Sequence, residues 1–207
     1  MKKAIFLITT LAIILPAGAM AQQGGALVGA LGLGFASAQG DFAATDLAAA
    51  GSGFGFEAQI RYYPFSGFGL GPMANYVRFG SSLPSAEGRV SYNFAQLGGV
   101  ARLNMFGIPS GSFFINGGGG IFTPNVHYYV PEESIDRAAE ESGNFFFGGI
   151  GIASYPDRKV SYELEIRYSV GTADYEFQNM STSAWDFIYA GVKISFASKG
   201  KEAPPRY

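Results

Sequence analysis

The chain contains one histidine, His127, and no cysteine. Any histidine-assisted hydrolysis has to run through His127, because no other imidazole is available as a general base. Tyr128 and Tyr129 follow it, so no serine adjoins it on that side in the chain. Thiol nucleophiles, disulfides and a lipid-modified cysteine are excluded by composition. Chain order therefore assigns no catalytic residue, and His127 reads as a rim or loop histidine.

Three other groupings have residue types capable of chemistry. Glu132, Glu133, Asp136, Glu140 and Glu141 could gather divalent cations, yet their spacing is not that of a calcium loop, so a solvated loop with a short helix over 132–141 is expected. Glu163 and Glu165 are paired carboxylates, but residues two apart on a strand simply share its face. Gly29, Gly32 and Gly34 superficially resemble a dinucleotide-binding loop; Ser37 stands where the third glycine belongs and no crossover helix follows. The expectation is a non-enzymatic protein without cofactor or metal.

What positions these residues is a period-2 pattern. Val160, Tyr162, Leu164, Ile166, Tyr168 and Val170 share one face, while Ser161, Glu163, Glu165, Arg167 and Ser169 share the other. Phe54, Phe56, Ala58, Ile60 and Tyr62 likewise oppose Gly55, Glu57, Gln59 and Arg61. Leu97, Ala101 and Leu103 oppose Gln96, Arg102 and Asn104; Ile188, Ala190, Val192, Ile194 and Phe196 oppose Phe187, Tyr189, Gly191, Lys193 and Ser195. Eight strands are expected, over residues 26–38, 51–63, 68–80, 88–106, 112–129, 144–155, 160–172 and 184–197. Pro72 inside the third, which cannot donate to a ladder, suggests a bulge or a misdrawn strand. Gly117–Gly120 and the run Phe145–Phe147 leave two strands with unreadable faces. Short turns at 64–67, 107–111 and 156–159 alternate with longer polar loops at 39–50, 81–87, 130–143 and 173–183.

The first 21 residues explain where such strands would go. Lys2 and Lys3 precede an apolar run ending near Leu15, and Ala19-Met20-Ala21 supplies a small-residue cleavage site, the pattern of a secretory signal peptide. The expected organisation is a signal peptide at 1–21, one barrel at 22–197 and a disordered periplasmic tail at 198–207. Beyond the leader no apolar stretch reaches the roughly 18 residues of a membrane helix. Charged residues make up 14% of the chain, well under the usual 25% or so, and aromatics reach 15%. A net charge of −2 leaves no basic surface for nucleic acid.

Strands that cross a bilayer must close on one another, because lipid cannot hydrogen-bond a free edge. An arginine facing lipid at the midplane costs about 2–4 kcal/mol, so Arg61, Arg102 and Arg167 are expected inside, in an ion-pair network with Glu57, Glu163, Glu165 and Lys193. Tyr62, Tyr63, Phe65 and Phe68 beside the first turn, Tyr155 and Tyr162 beside the third, and Phe79, Tyr128, Tyr129 and Trp185 near the opposite rim are expected to form two aromatic girdles.

With signal peptide, strand count and turn alternation in place, nearly all of the mature chain resembles the small outer-membrane barrels of the OmpA/OmpX type. That resemblance implies an all-β, closed, up-and-down transmembrane barrel in the bacterial outer membrane. It also implies that Ile188, Ala190, Val192, Ile194 and Phe196 form the C-terminal signal read by the barrel-assembly machinery, although here the chain continues past Phe196. Implied partners are outer-membrane lipid, lipopolysaccharide and that machinery, for a monomer with a structural or surface-interaction role. A narrow channel for small solutes and a lipid A-modifying enzyme are the alternatives within such barrels.

Overall fold

The computed structural model describes residues 25–43, 50–65, 67–82, 89–108, 111–130, 133–138, 142–154, 159–177 and 180–198. The segment read as a signal peptide, the residues beyond Ser198, and parts of the expected long loops and of the short turns at 64–67, 107–111 and 156–159 lie outside them. Among the described residues are ten strands and one helical turn: β1 (Ala26–Gln39), α1 (Gly40–Ala43), β2 (Ser52–Phe65), β3 (Phe68–Ser82), β4 (Arg89–Ile108), β5 (Gly111–Val130), β6 (Glu133–Ala138), β7 (Gly143–Ser154), β8 (Val160–Phe177), β9 (Met180–Ala184) and β10 (Asp186–Ala197).

Eight of these strands form the wall. Successive strands pair antiparallel from β1 through β5, then β7, β8 and β10. The wall closes where β10 pairs with β8, from Phe187↔Ser169 to Phe196↔Val160, and with β1, from Asp186↔Gln39 to Ala197↔Val28. Every wall strand thus has a neighbour on both sides. Burial alternates residue by residue, and on each strand read above the polar face is the buried one. The result is an inside-out barrel: 28 large apolar side chains among the described residues are exposed on its surface. Water is a poor solvent for such a wall, and hydrocarbon a good one.

Several local expectations change. Pro72 lies within a genuine strand and pairs with Gly99 of β4; the ladder to β2 skips the positions opposite Gly71 and Pro72 and resumes unshifted, with an irregularity between Tyr62 and Phe65. The glycine run continues β5 without a break, Gly98↔Gly120 and Gly117↔Gly148 among its pairs. Phe145 and Phe147 face the lumen and Phe146 faces outward. Of the expected helix over 132–141, the described part, Glu133–Ala138, is instead a strand, paired with β5 from Val130↔Glu133 to Asn125↔Ala138. Helix propensity is a weak local preference, whereas β5 runs past the end of β7 and presents a row of backbone groups that only another strand can satisfy. On the other side β9 extends β8 in the same way, occupying part of the expected 173–183 loop.

Near Pro72 the backbones are close. A Cβ on Gly71 would lie 1.9 Å from the Ile60 carbonyl oxygen, whereas one on Gly99, opposite Pro72, would meet nothing nearer than 3.9 Å. Gly71→Ala is therefore expected to destabilise the barrel by about 1–3 kcal/mol through forced strand separation, with Gly99→Ala near neutral. Urea-unfolding midpoints of the two variants in detergent check this order.

Candidate functional site

The lumen is the first place to look for function, because the strands deliver most of their polar residues to it. It is built in two layers. Toward the short-turn end lie Glu57, Arg61, Arg102, Glu163, Glu165, Arg167 and Lys193, each no more than 4% exposed. Glu163 is shared by two arginines: Arg61 Nη2 reaches its Oε1 at 2.6 Å and Arg102 Nη1 its Oε2 at 2.7 Å. Arg61 Nη1 adds a second hydrogen bond at 3.3 Å, and the Ser195 hydroxyl donates to the same carboxylate. One level up, Lys193 Nζ lies 2.5 Å from Glu57 Oε1 and also pairs with Glu165, while Arg167 pairs with Glu57.

Four cations meet three carboxylates in this layer, and aromatic faces accommodate the surplus charge. The Arg102 guanidinium sits 3.7 Å from the Phe114 ring centre, and that of Arg167 lies 4.4 Å from Tyr189 and 5.2 Å from Phe147. Amides finish the layer: Asn75 Nδ2 donates to Gln96 Oε1 at 2.8 Å, and Gln96 Nε2 donates to Ser169 Oγ at 3.2 Å. These side chains hold one another across the barrel.

The upper layer is aromatic. Phe79, Phe94, Phe122, Phe187 and Trp185 point inward and are fully buried, in rings-on-edge and tilted contacts 5.1–6.1 Å apart between centres. The first long loop adds to it from above. Gly40, with a φ of +56°, opens α1, and α1 places Phe42 among Phe79, Tyr92, Phe94 and Trp185 at 5.2–5.4 Å. The loop thus stoppers the barrel with one of its own rings. Nothing in the local sequence marks Phe42 for this, because its environment is made by β3, β4 and the junction of β9 with β10, all distant in the chain.

The expected girdles need correction for three residues. Tyr63, Phe79 and Trp185 are fully buried in the lumen, not set at the membrane interfaces. Tyr62, Phe65 and Tyr162 are exposed near the short turns, with Phe65 and Phe68 stacked at 5.4 Å, and Tyr129 is exposed at the opposite rim. The side chains of Tyr128 and Tyr155 lie outside the described residues. Ile188, Val192, Ile194 and Phe196 are exposed on the outer wall, with Ala190 on the same face. His127 lies on β5 above the wall, opposite Ser91 of β4 and Asp136 of β6. Glu132, Glu140 and Glu141, and the side chains of Glu133 and Asp136, lie outside the described residues.

Glu163 carries the most in the lower layer, since its removal strands both Arg61 and Arg102, whereas Arg167 and Lys193 keep Glu57 if Glu165 is lost. Glu163→Gln is expected to cost about 3–5 kcal/mol of stability, the range for breaking a buried ion pair, and Glu165→Gln clearly less. Urea titrations followed by the fluorescence of Trp185, the chain's sole tryptophan, measure both.

No protein-family model and no curated protein sequence matches the chain. Solved structures do. Neisserial surface protein A is 16% identical, with a TM-score of 0.51, over 83% of this chain and 97% of that one. Ail, the attachment invasion locus protein of Yersinia pestis, is 12% identical, with a TM-score of 0.50, over 84% of this chain and all of the other. The same figures hold for Ail in complex with the heparin analogue sucrose octasulfate. At such identities the likeness is one of architecture: the chain has the fold of the small, closed, eight-stranded outer-membrane β-barrels.

Proposed function

We propose that this protein is an outer-membrane barrel with a closed lumen, whose role is structural and surface-interacting and whose working parts are the long loops and the upper rim. The observation that carries this reading is the filled interior. Ion pairs occupy its lower half, packed aromatic rings its upper half, and Phe42 of the first long loop its mouth. With the interior occupied, the exposed surfaces left for function are the lipid-facing wall and the segments that rise above it. With short turns on the periplasmic side, as in such barrels generally, the long loops and the extensions β5–β6 and β8–β9 stand outside the cell, where they meet lipopolysaccharide or another surface. The name of the neighbour Ail, an attachment invasion locus protein, is consistent with a role of this kind. The outward stripe Ile188, Ala190, Val192, Ile194 and Phe196 serves assembly of the barrel before that role begins.

The competing reading, a narrow channel, rested on polar inward faces. The charged groups among them pair with one another, and among the described residues a layer of packed rings lies above them. Planar-bilayer recordings of the purified, folded chain are expected to show no steps above background. Adherence of vesicles bearing the protein to lipopolysaccharide-coated surfaces is expected to exceed that of protein-free vesicles. Stepwise conductance, or equal adherence, would sink the reading.

A further inference from the structure

We infer that the lumen binds a small monovalent anion of the halide class, at the row where Arg102, Asn116 and Arg167 stand abreast. Arg102 of β4 is opposite Asn116 of β5, Asn116 is opposite Gly149 of β7, and Gly149 is opposite Arg167 of β8. Gly149 brings no side chain to the row, so the amide of Asn116 lies over its backbone beside Arg167. A Cβ on Gly149 would stand 2.6 Å from Asn116 Oδ1 and 2.8 Å from Arg167 Cβ. The two side chains are neighbours across the glycine, and Arg102 flanks the amide on its other side.

The balance of charge points to the same row. The ion pairs divide into two sets: Lys193 and Arg167 balance Glu57 and Glu165, whereas Arg61 and Arg102 share the single carboxylate of Glu163. Among the described residues one positive charge is left over, and every member of both sets is buried. A buried charge is tolerated when it is paired and hydrogen-bonded. The rings of Phe114, Phe147 and Tyr189 ease the surplus on Arg102 and Arg167 through their faces without cancelling it.

The hydrogen-bonding groups of the row suit an anion. Arg167 Nε and Nη2 are buried with neither a hydrogen bond nor an ion pair among the described residues, since only Nη1 reaches toward carboxylates. Asn116 is 8% exposed, and its Nδ2 is also buried without a partner. Its Oδ1 is turned onto Gly149, which leaves Nδ2 for the lumen. Three donor atoms from two strands, beside a net positive charge, match an acceptor that takes hydrogen bonds from several directions, and such bonds are roughly twice as strong when the acceptor is ionised. Water fits less well: it brings two protons of its own into a region rich in donors and leaves the charge uncancelled. The class is monovalent because the surplus is one charge, and because Glu165 Oε1, 3.7 Å from Arg167 Nη1, would repel a divalent anion. The site asks nothing of the rim and stands whether or not the long loops bind a surface.

The test uses the full chain refolded from urea into detergent with sodium chloride, sodium bromide or sodium gluconate at equal ionic strength, so that the anion present as the barrel closes is known. Crystals of the bromide sample are expected to show an anomalous peak within hydrogen-bond distance of Asn116 Nδ2 and Arg167. In solution, once the site is saturated, each tenfold rise in chloride is expected to lower the unfolding equilibrium constant about tenfold, the behaviour of one ion bound by the folded state alone. Gluconate, too large for the row, is expected to have no such effect. Asn116→Asp sets a carboxylate in the row and is expected to abolish both the bromide peak and the chloride response, while the gel-mobility difference between boiled and unboiled samples is retained. Asn116→Leu removes the donor without adding charge and is expected to weaken chloride affinity about tenfold or more. No bromide peak in the lumen of the wild type, equal unfolding in chloride and gluconate, or a chloride response unchanged in both variants overturns the site.

Discussion

In a bilayer the backbone has no solvent to pair with, so each strand needs a partner on both edges. The pairing of β10 with both β1 and β8 is what satisfies this condition, and most other features follow from it. Closure with eight strands leaves a bore that side chains are long enough to fill. Closure also gives every residue of the wall just two destinations, hydrocarbon or lumen. Arg61, Arg102, Arg167 and Lys193 are inward because the alternative is lipid, and once inward they need Glu57, Glu163 and Glu165. The ion-pair layer is thus a consequence of the membrane more than a source of stability in its own right, since buried charges spend most of their mutual attraction on lost hydration.

The two layers differ because the two ends of the barrel face different requirements. At the short-turn end the strands are tied by tight connections, among them the turn at Gly67, where φ is +91°, and a rigid polar network can be held in register. At the loop end the wall outruns the bilayer and its strands are tied by longer segments. Packed rings suit that end, since they need contact and not exact donor and acceptor alignment. Phe42 shows the economy of the arrangement: one residue, delivered by a single helical turn, closes an opening that four strands have lined.

The legible part of this fold was the part governed by alternation. Glu163, Glu165 and Arg167 could be assigned to one face because a strand in lipid leaves no third option. The same rule, applied strictly, would have turned Tyr63 inward with Arg61, two residues away; closeness to a turn was the weaker signal, and it misplaced Tyr63 as it did Phe79 and Trp185. Phe42 was illegible for a different reason. Its position is decided by rings at 79, 92, 94 and 185, and nothing within the segment around it selects an inward path. The stretch from Glu133 to Ala138 was misread because its composition favours a helix locally, while the open edge of β5 exists only once β7 has ended at Gly143.

That same mismatch in strand length creates the three-stranded extension at the rim. Where β5 and β7 pair, up to Phe122↔Gly143, the wall is complete and its outer face belongs to lipid. Beyond that point β5 exchanges β7 for β6 and enters a polar environment with a neighbour on each side, so residues from three distant parts of the chain come abreast. In a sheet the nearest neighbours of His127 lie across the strands and not along the chain. Position 91 is 36 residues away in sequence and opposite in space. The packed lumen and the rim extension are therefore two outcomes of one geometry: eight strands bring inward side chains into contact across the bore, and those that continue past closure present side chains above the wall.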